Sequence, residues 1–127
     1  MPADLRAKTG MTNPPRYKRG DLYFANLDPR TGSEQGGDRP VLVFQDDQLS
    51  AASRTVVIIP LTSKLQWARL PTCVQLRAGV GNLPETSVVL CHQIRAIDKS
   101  RIRRMIGTLP PEVLTVIEQV ARRTLGL

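Results

Sequence analysis

Residues 55–61, TVVIIPL, constrain this chain more than any other stretch. The run is β-branched and apolar without interruption, and it shows neither the alternation of a half-exposed strand nor the spacing of an amphipathic helix. It is predicted to be a central strand buried in a sheet. Around it the chain offers further short strands at 21–27, 41–45, 72–76, 87–91, 93–97 and 104–109. Those at 87–97 can equally be one bent strand with a bulge near His92. Turn-forming clusters separate them: Asp28-Pro29-Arg30-Thr31-Gly32 after the first, and Gly79, Gly81, Asn82 and Pro84 within 77–86. Residues 46–53 read as a helical turn or a loop, with Asp46 or Asp47 placed to cap it. Residues 62–71 read as a long exposed connection and 98–101 as a turn.

One helix closes the chain. Pro110-Pro111-Glu112 suits a first turn, where proline is tolerated and an acidic side chain opposes the helix dipole favourably. Val113, Leu114, Ile117, Val120, Ala121 and Leu125 then fall on one face, Arg122 and Arg123 lie near the C-terminal end, and Gly126 is a stop signal. The expected architecture is therefore mainly β with a C-terminal helix, a small and strongly bent β-barrel. Residues 1–16 are polar, proline-containing and aperiodic, and with Arg6, Lys8 and Arg16 they read as a disordered basic arm ahead of a single domain at 17–127.

Composition narrows the function. Aromatic residues make up 4% of the chain, so Val, Leu and Ile must fill the core. The net charge of +7 suits a polyanionic partner, whether a nucleic acid or an acidic protein. Cys73 and Cys91, the two cysteines, sit in apolar alternating stretches and read as buried thiols, with a disulfide left open. Two cysteines and one histidine, widely spaced, do not make a metal site, and no cofactor motif is present. No apolar run approaches the roughly 20 residues of a membrane span, and the N-terminus lacks an apolar core, which points to the cytoplasm.

Residues 32–40, GSEQGGDRP, join the first two strands. Glycines let the backbone approach a ligand closely, and a rigid guanidinium at Arg39 beside such a loop suits phosphate recognition. Pro40 fits the opening of a strand, where its missing N–H matters least.

This loop also carries a resemblance. Arg19-Gly20-Asp21 at the head of a strand, Asn26-Leu27-Asp28-Pro29, and then GSEQGG followed by Arg39-Pro40 are similar to the MazF/PemK toxins, ribonucleases of toxin–antitoxin pairs. Pro60-Leu61-Thr62-Ser63 and the stretch at 87–98, SVVLCHQIRAID, continue the similarity. The resemblance implies an SH3-like β-barrel of the CcdB/PemK type, a homodimer, and sequence-specific, metal-independent cleavage of single-stranded RNA. It further implies 2′,3′-cyclic phosphate and 5′-hydroxyl products, and neutralisation by an acidic antitoxin. It assigns catalysis to Arg39 and Thr62.

Each of these residues also has a plainer reading. Arg39 is otherwise a surface arginine paired with Asp38, and Thr62 a turn-forming threonine. For proton transfer the candidates are Glu34 and His92. Family members often carry an acidic residue where this chain has His92, so the family's acid does not carry over. Either residue is otherwise an ordinary loop or strand-end side chain. Ser33, Gln35, Gly36, Gln93 and Arg95 are expected along the RNA groove, with an Arg95–Asp98 ion pair as the alternative for Arg95. Within 63–70, Lys64 offers charge and Trp67 a face on which a base can stack, or else a ring packed on the barrel. Two other functions remain open at this level: a CcdB-like toxin that binds gyrase without cutting RNA, and an RNA-binding barrel that has lost catalysis.

Overall fold

The apolar run forms strand β3, Thr55–Thr62, one residue longer than expected. It is the hub of a computed structural model that describes residues 17–127. The arm expected at 1–16 lies outside the described residues. In chain order the other strands are β1 (Asp21–Asn26), β2 (Asp38–Val43), β4 (Cys73–Leu76), β5 (Ser87–Leu90), β6 (Arg95–Asp98) and β7 (Ile102–Thr108). A short helix α1 (Asp47–Ala52) follows β2, and helix α2 (Pro111–Leu125) ends the chain. All pairings are antiparallel, in the order β4-β5-β3-β2-β1-β7, with β6 also on β3. The sheet is barrel-like, as expected, without closing on itself. No helix among the described residues is long and apolar enough to cross a membrane.

Two faces of this bent sheet bury separate cores. Tyr23, Ala25, Leu27, Val41, Val43, Val56, Ile58, Ile97 and Ile102 fill one. The other holds Leu22, Leu42, Ile59, Leu61, Val89 and Cys91, and α2 covers it with Ile117 and Ala121. Val113, Leu114 and Val120 pack at the edge as the helical spacing predicts. Leu125 does not: it is 50% exposed, at the rim of a shallow surface hollow it shares with Phe44 and Ala121. Gly126 ends the helix in the left-handed region at φ 75°, where its N–H reaches the carbonyls of Arg122 and Arg123. Arg19 ties α2 to the sheet, with Nε and Nη2 donating to Glu118, Nη1 donating to the Phe44 carbonyl, and the guanidinium over the Phe44 ring at 4.2 Å.

Several boundaries differ from the sequence reading. Strand β2 begins at Asp38, so Arg39 and Pro40 lie within it; Pro40 sits against Phe24 of β1. Asp46 caps α1 by accepting from the Gln48 N–H at 3.1 Å. The connection at 62–71 is not simply extended, since Leu65–Arg69 winds into a 3-10 turn. The stretch at 87–97 is close to the bent-strand alternative. Strands β5 and β6 both lie along β3, through the pairs Leu61↔Val89 and Ile58↔Arg95. Between those pairs, Ile59 and Pro60 of β3 face a longer run of the other strand. The surplus winds up as a 3-10 turn at Cys91–Gln93. That turn pushes His92 and Gln93 out of the sheet and makes one wall of the site.

Candidate active site

The opposite wall is the loop that joins β1 to β2, and it is pinned rather than slack. The Leu27 N–H donates to the Gly37 carbonyl at 2.9 Å, and the Gly37 N–H donates to Asp28 Oδ1 at 2.8 Å. Arg101 reaches the carbonyls of Asn26 and Asp28 with Nη1. Gly36 is required by packing: a Cβ there would stand 2.6 Å from Asp28 Oδ1 and 2.8 Å from Arg30 Cδ. Gly37 takes φ 71°, a conformation open to glycine at little cost.

Gln93 joins the two walls. Its Oε1 accepts from the Gln35 N–H at 2.9 Å and its Nε2 donates to the Ser33 carbonyl at 3.5 Å. Between the walls lies a cleft of about 170 Å³ lined by Leu27, Glu34, Gln35, Pro60, His92, Gln93, Ile94 and Arg95. Arg95 Nη1 is buried without a hydrogen-bond partner. A buried donor left unpaired costs free energy unless an acceptor reaches it, so this atom is suited to an anion entering the cleft. The Arg95–Asp98 alternative is not the arrangement found: Asp98 accepts from the Ser100 N–H at 2.8 Å. Hydrogen bonding by the Ser100 side chain and by its N–H, with Arg54 and Arg101 nearby, lowers its pKa.

Arg39 stands beside this cleft, at the root of the loop. Its Nε donates to the Gly36 carbonyl at 2.9 Å, which orients the guanidinium and leaves both Nη groups as donors. The β2–β3 register runs to Val41↔Pro60. Continued by two residues, it faces Arg39 with Thr62, where β3 already pairs with Val88 of β5. The two residues are thus at the same end of neighbouring strands. Thr62, however, is only 1% exposed, and its Oγ1 accepts from the Lys64 N–H at 3.2 Å. This is the turn-forming geometry that was its plainer reading, and Pro60 is the β3 residue that lines the cleft.

The proton-transfer candidates share the cleft but differ in freedom. Glu34 turns back on its own loop, with Oε1 accepting from the Thr31 N–H at 3.1 Å. His92 has Nδ1 2.8 Å from Thr72 Oγ1 and its ring stacked on Trp67, with centroids 5.6 Å apart and planes 21° from parallel. Burial lowers its pKa from the ordinary 6.5, so the imidazole is neutral at pH 7. Trp67 packs against Cys73, Val88 and Leu90 as well, so its ring has taken the packing role. Lys64 remains exposed. The cysteines are free and buried; burial raises both thiols, Cys91 to about 11.

Two contributors escaped the sequence reading. Thr72 was seen only as the start of a strand, and Arg101 only as part of a turn. Neither carries a local signal, because each acts on a segment distant in sequence.

Comparison with known proteins identifies the family and the fold. Residues 18–125 match the family model described as PemK-like, MazF-like toxin of type II toxin–antitoxin system. The chain is 43% identical over 110 residues to endoribonuclease EndoA of Bacillus subtilis, covering 87% of this chain and 95% of that protein. The crystal structure of MazF from Deinococcus radiodurans superposes with a TM-score of 0.78 at 29% identity, covering 90% of this chain and all (100%) of that one. A MazE–MazF structure from the same organism gives 0.70 at 28% identity, covering 92% of this chain and 99% of that one. With residues 18–125 matched by the family model, this chain belongs to the PemK/MazF family of toxins of type II toxin–antitoxin systems.

Proposed function

We propose that this chain is a sequence-specific endoribonuclease that cuts single-stranded RNA by internal transesterification, without a metal ion. The 2′-hydroxyl loses its proton and its oxygen attacks the adjacent phosphorus. The bond from phosphorus to the 5′-oxygen breaks, and that oxygen takes up a proton. The products carry a 2′,3′-cyclic phosphate and a 5′-hydroxyl. DNA lacks the nucleophile, so the route is specific to RNA.

The observation that carries this reading is the buried, unpartnered Arg95 Nη1 in a cleft whose walls Gln93 fastens together. The cleft offers an anion a donor, and the opposite wall, the β1–β2 loop, ends at Arg39. Arg39, oriented through Nε, directs its Nη groups at the non-bridging phosphate oxygens and stabilises the charge that builds there. Thr62 has one lone pair engaged by the Lys64 N–H, which leaves its O–H as a donor to the phosphate or the 2′-oxygen at the end of β3. Ser33, Gln35, Gly36, Gln93 and Arg95 hold the strand in the groove. Lys64 supplies charge at its rim. The enzyme acts as a homodimer in the cytoplasm, and an acidic segment of a cognate antitoxin competes with RNA for the same basic groove. The EndoA relative is an endoribonuclease by name, and the matched family model is of toxins of type II toxin–antitoxin systems, which supports both halves of the reading.

Incubating the purified chain with a long RNA in EDTA and mapping the ends tests the chemistry. Discrete cuts with cyclic phosphate ends are expected. Intact RNA, or cutting only when a divalent ion is restored, would remove the metal-free reading. Deleting residues 124–127 separates this function from a gyrase-binding toxin acting through its C-terminus: cleavage is expected to survive.

A further inference from the structure

Resting on the endoribonuclease reading, we propose that Thr72 and Trp67 are positioning residues that hold His92 as the proton acceptor for the 2′-hydroxyl. Three observations combine. First, the 3-10 turn at Cys91–Gln93 lifts His92 out of the sheet to the wall of the cleft. Second, the imidazole is fixed in two directions. Trp67 sets its plane by stacking at 5.6 Å, and Thr72 Oγ1 sets its rotation about that plane by bonding Nδ1 at 2.8 Å. Third, Nε2 has no hydrogen bond among the described residues, whereas Glu34, the other candidate, has Oε1 turned back onto the Thr31 N–H of its own loop.

The Thr72 hydroxyl accepts from Nδ1–H in one tautomer and donates to a bare Nδ1 in the other, and the base requires the first. When Nδ1 carries the proton it donates to Thr72 Oγ1, whose own hydrogen then points to Cys73 Sγ, 3.7 Å away. That tautomer leaves the Nε2 lone pair facing the cleft. The lone pair accepts the 2′-hydroxyl proton as the oxygen attacks phosphorus, giving an imidazolium with both nitrogens protonated. The imidazolium then returns its proton to solvent or to the departing 5′-oxygen. The groups that face this ring from neighbouring elements are Cys73 of β4, at 3.9 Å from Nδ1, and Glu34 and Arg95 across the cleft. A Thr hydroxyl suits the task because it accepts from Nδ1–H without introducing a fixed charge.

The test combines kinetics with the nitrogen resonances of His92. Thr72→Val is expected to lower kcat at least tenfold with KM within twofold, and Thr72→Ser to restore it. His92→Gln is expected to lower kcat about 10²-fold or more and to abolish the acidic limb of the pH–rate profile. In the wild-type chain the ring nitrogens are expected to report the Nδ1–H tautomer, and Thr72→Val to scramble it. This spectroscopic readout needs no RNA, so it stands even where a variant cuts nothing. Wild-type kcat in His92→Gln, while Arg39→Ala is inactive, would overturn the assignment of the base and leave the ribonuclease reading intact. An unchanged tautomer and unchanged kcat in Thr72→Val would overturn the positioning role. Inactive wild-type protein with the expected tautomer would fault the ribonuclease reading instead.

Discussion

The core beneath α2 and the cleft beside β3 are built by different physics. The core is aliphatic and buried: Leu22, Leu42, Ile59, Leu61, Val89 and Ile117 are all fully covered. Its stabilisation scales with apolar area removed from water and has little direction. The cleft is held mainly by directed bonds from side chains to backbone, beside a few between backbone groups such as Leu27 N–H to the Gly37 carbonyl. Gln93 bonds Gln35 and Ser33, Asp28 bonds Gly37, Arg39 bonds Gly36, and Arg101 bonds Asn26 and Asp28. The core is therefore expected to tolerate changes of shape at a cost in stability alone. The cleft is expected to lose function through changes that stability barely registers.

Substitutions at four positions sharpen or break that contrast. The largest effect is expected at Arg39. Arg39→Ala should slow RNA cleavage about 10³-fold or more, since a guanidinium on a reacting phosphoryl group supplies stabilisation of that order. Its unfolding midpoint in urea should stay near wild type, because the residue is only partly buried. Leu42→Ala should do the reverse. It should destabilise the fold by about 2–5 kcal/mol in urea titrations, while the folded fraction keeps its cleavage rate. Gln93→Leu lies between them. It leaves the N–H of the buried Gln35 without an acceptor, for about 1–3 kcal/mol, and loosens the wall, so cleavage should fall about tenfold. Gln93→Glu keeps the acceptor and should recover part of that loss.

The smallest effect is the pH dependence of stability at His92. Burial holds its pKa in the folded chain below 6.5, so near and below that pH the unfolded chain binds more protons. The contribution of His92 to stability is complete above pH 6.5 and is lost as pH falls through the folded value. Urea midpoints measured across that window should flatten in His92→Gln. An unchanged slope would show that the ring is as exposed folded as unfolded.

The same division explains what could be read from the sequence. The β-branched run gave away β3, and the helical spacing of Val113, Leu114, Ile117, Val120 and Ala121 gave away α2, because burial repeats with the period of the element. Loop residues 33–36, with Gln93 and Arg95, were found through a motif, and the cleft brings Glu34, Gln35, Gln93 and Arg95 together. Two features were hidden. The 3-10 turn at Cys91–Gln93 arises from a mismatch in length between two strands, which no local pattern records. The Thr72–His92 bond depends on β4 and β5 pairing in register, Cys73 against Leu90. Thr62 was found through a motif as well; its burial and its bond from the Lys64 N–H follow from the turn that ends β3.

In the proposed mechanism the RNA supplies its own nucleophile to a phosphate held beside Arg39. Once the cut site is mapped, the most direct measurement is the cleavage rate of a short RNA carrying a single 2′-deoxynucleotide on the 5′ side of the scissile phosphate. The account expects that substrate to bind and remain uncut, while the all-ribose control is cleaved to a 2′,3′-cyclic phosphate. Cleavage of the deoxy-substituted substrate at the control rate would contradict it.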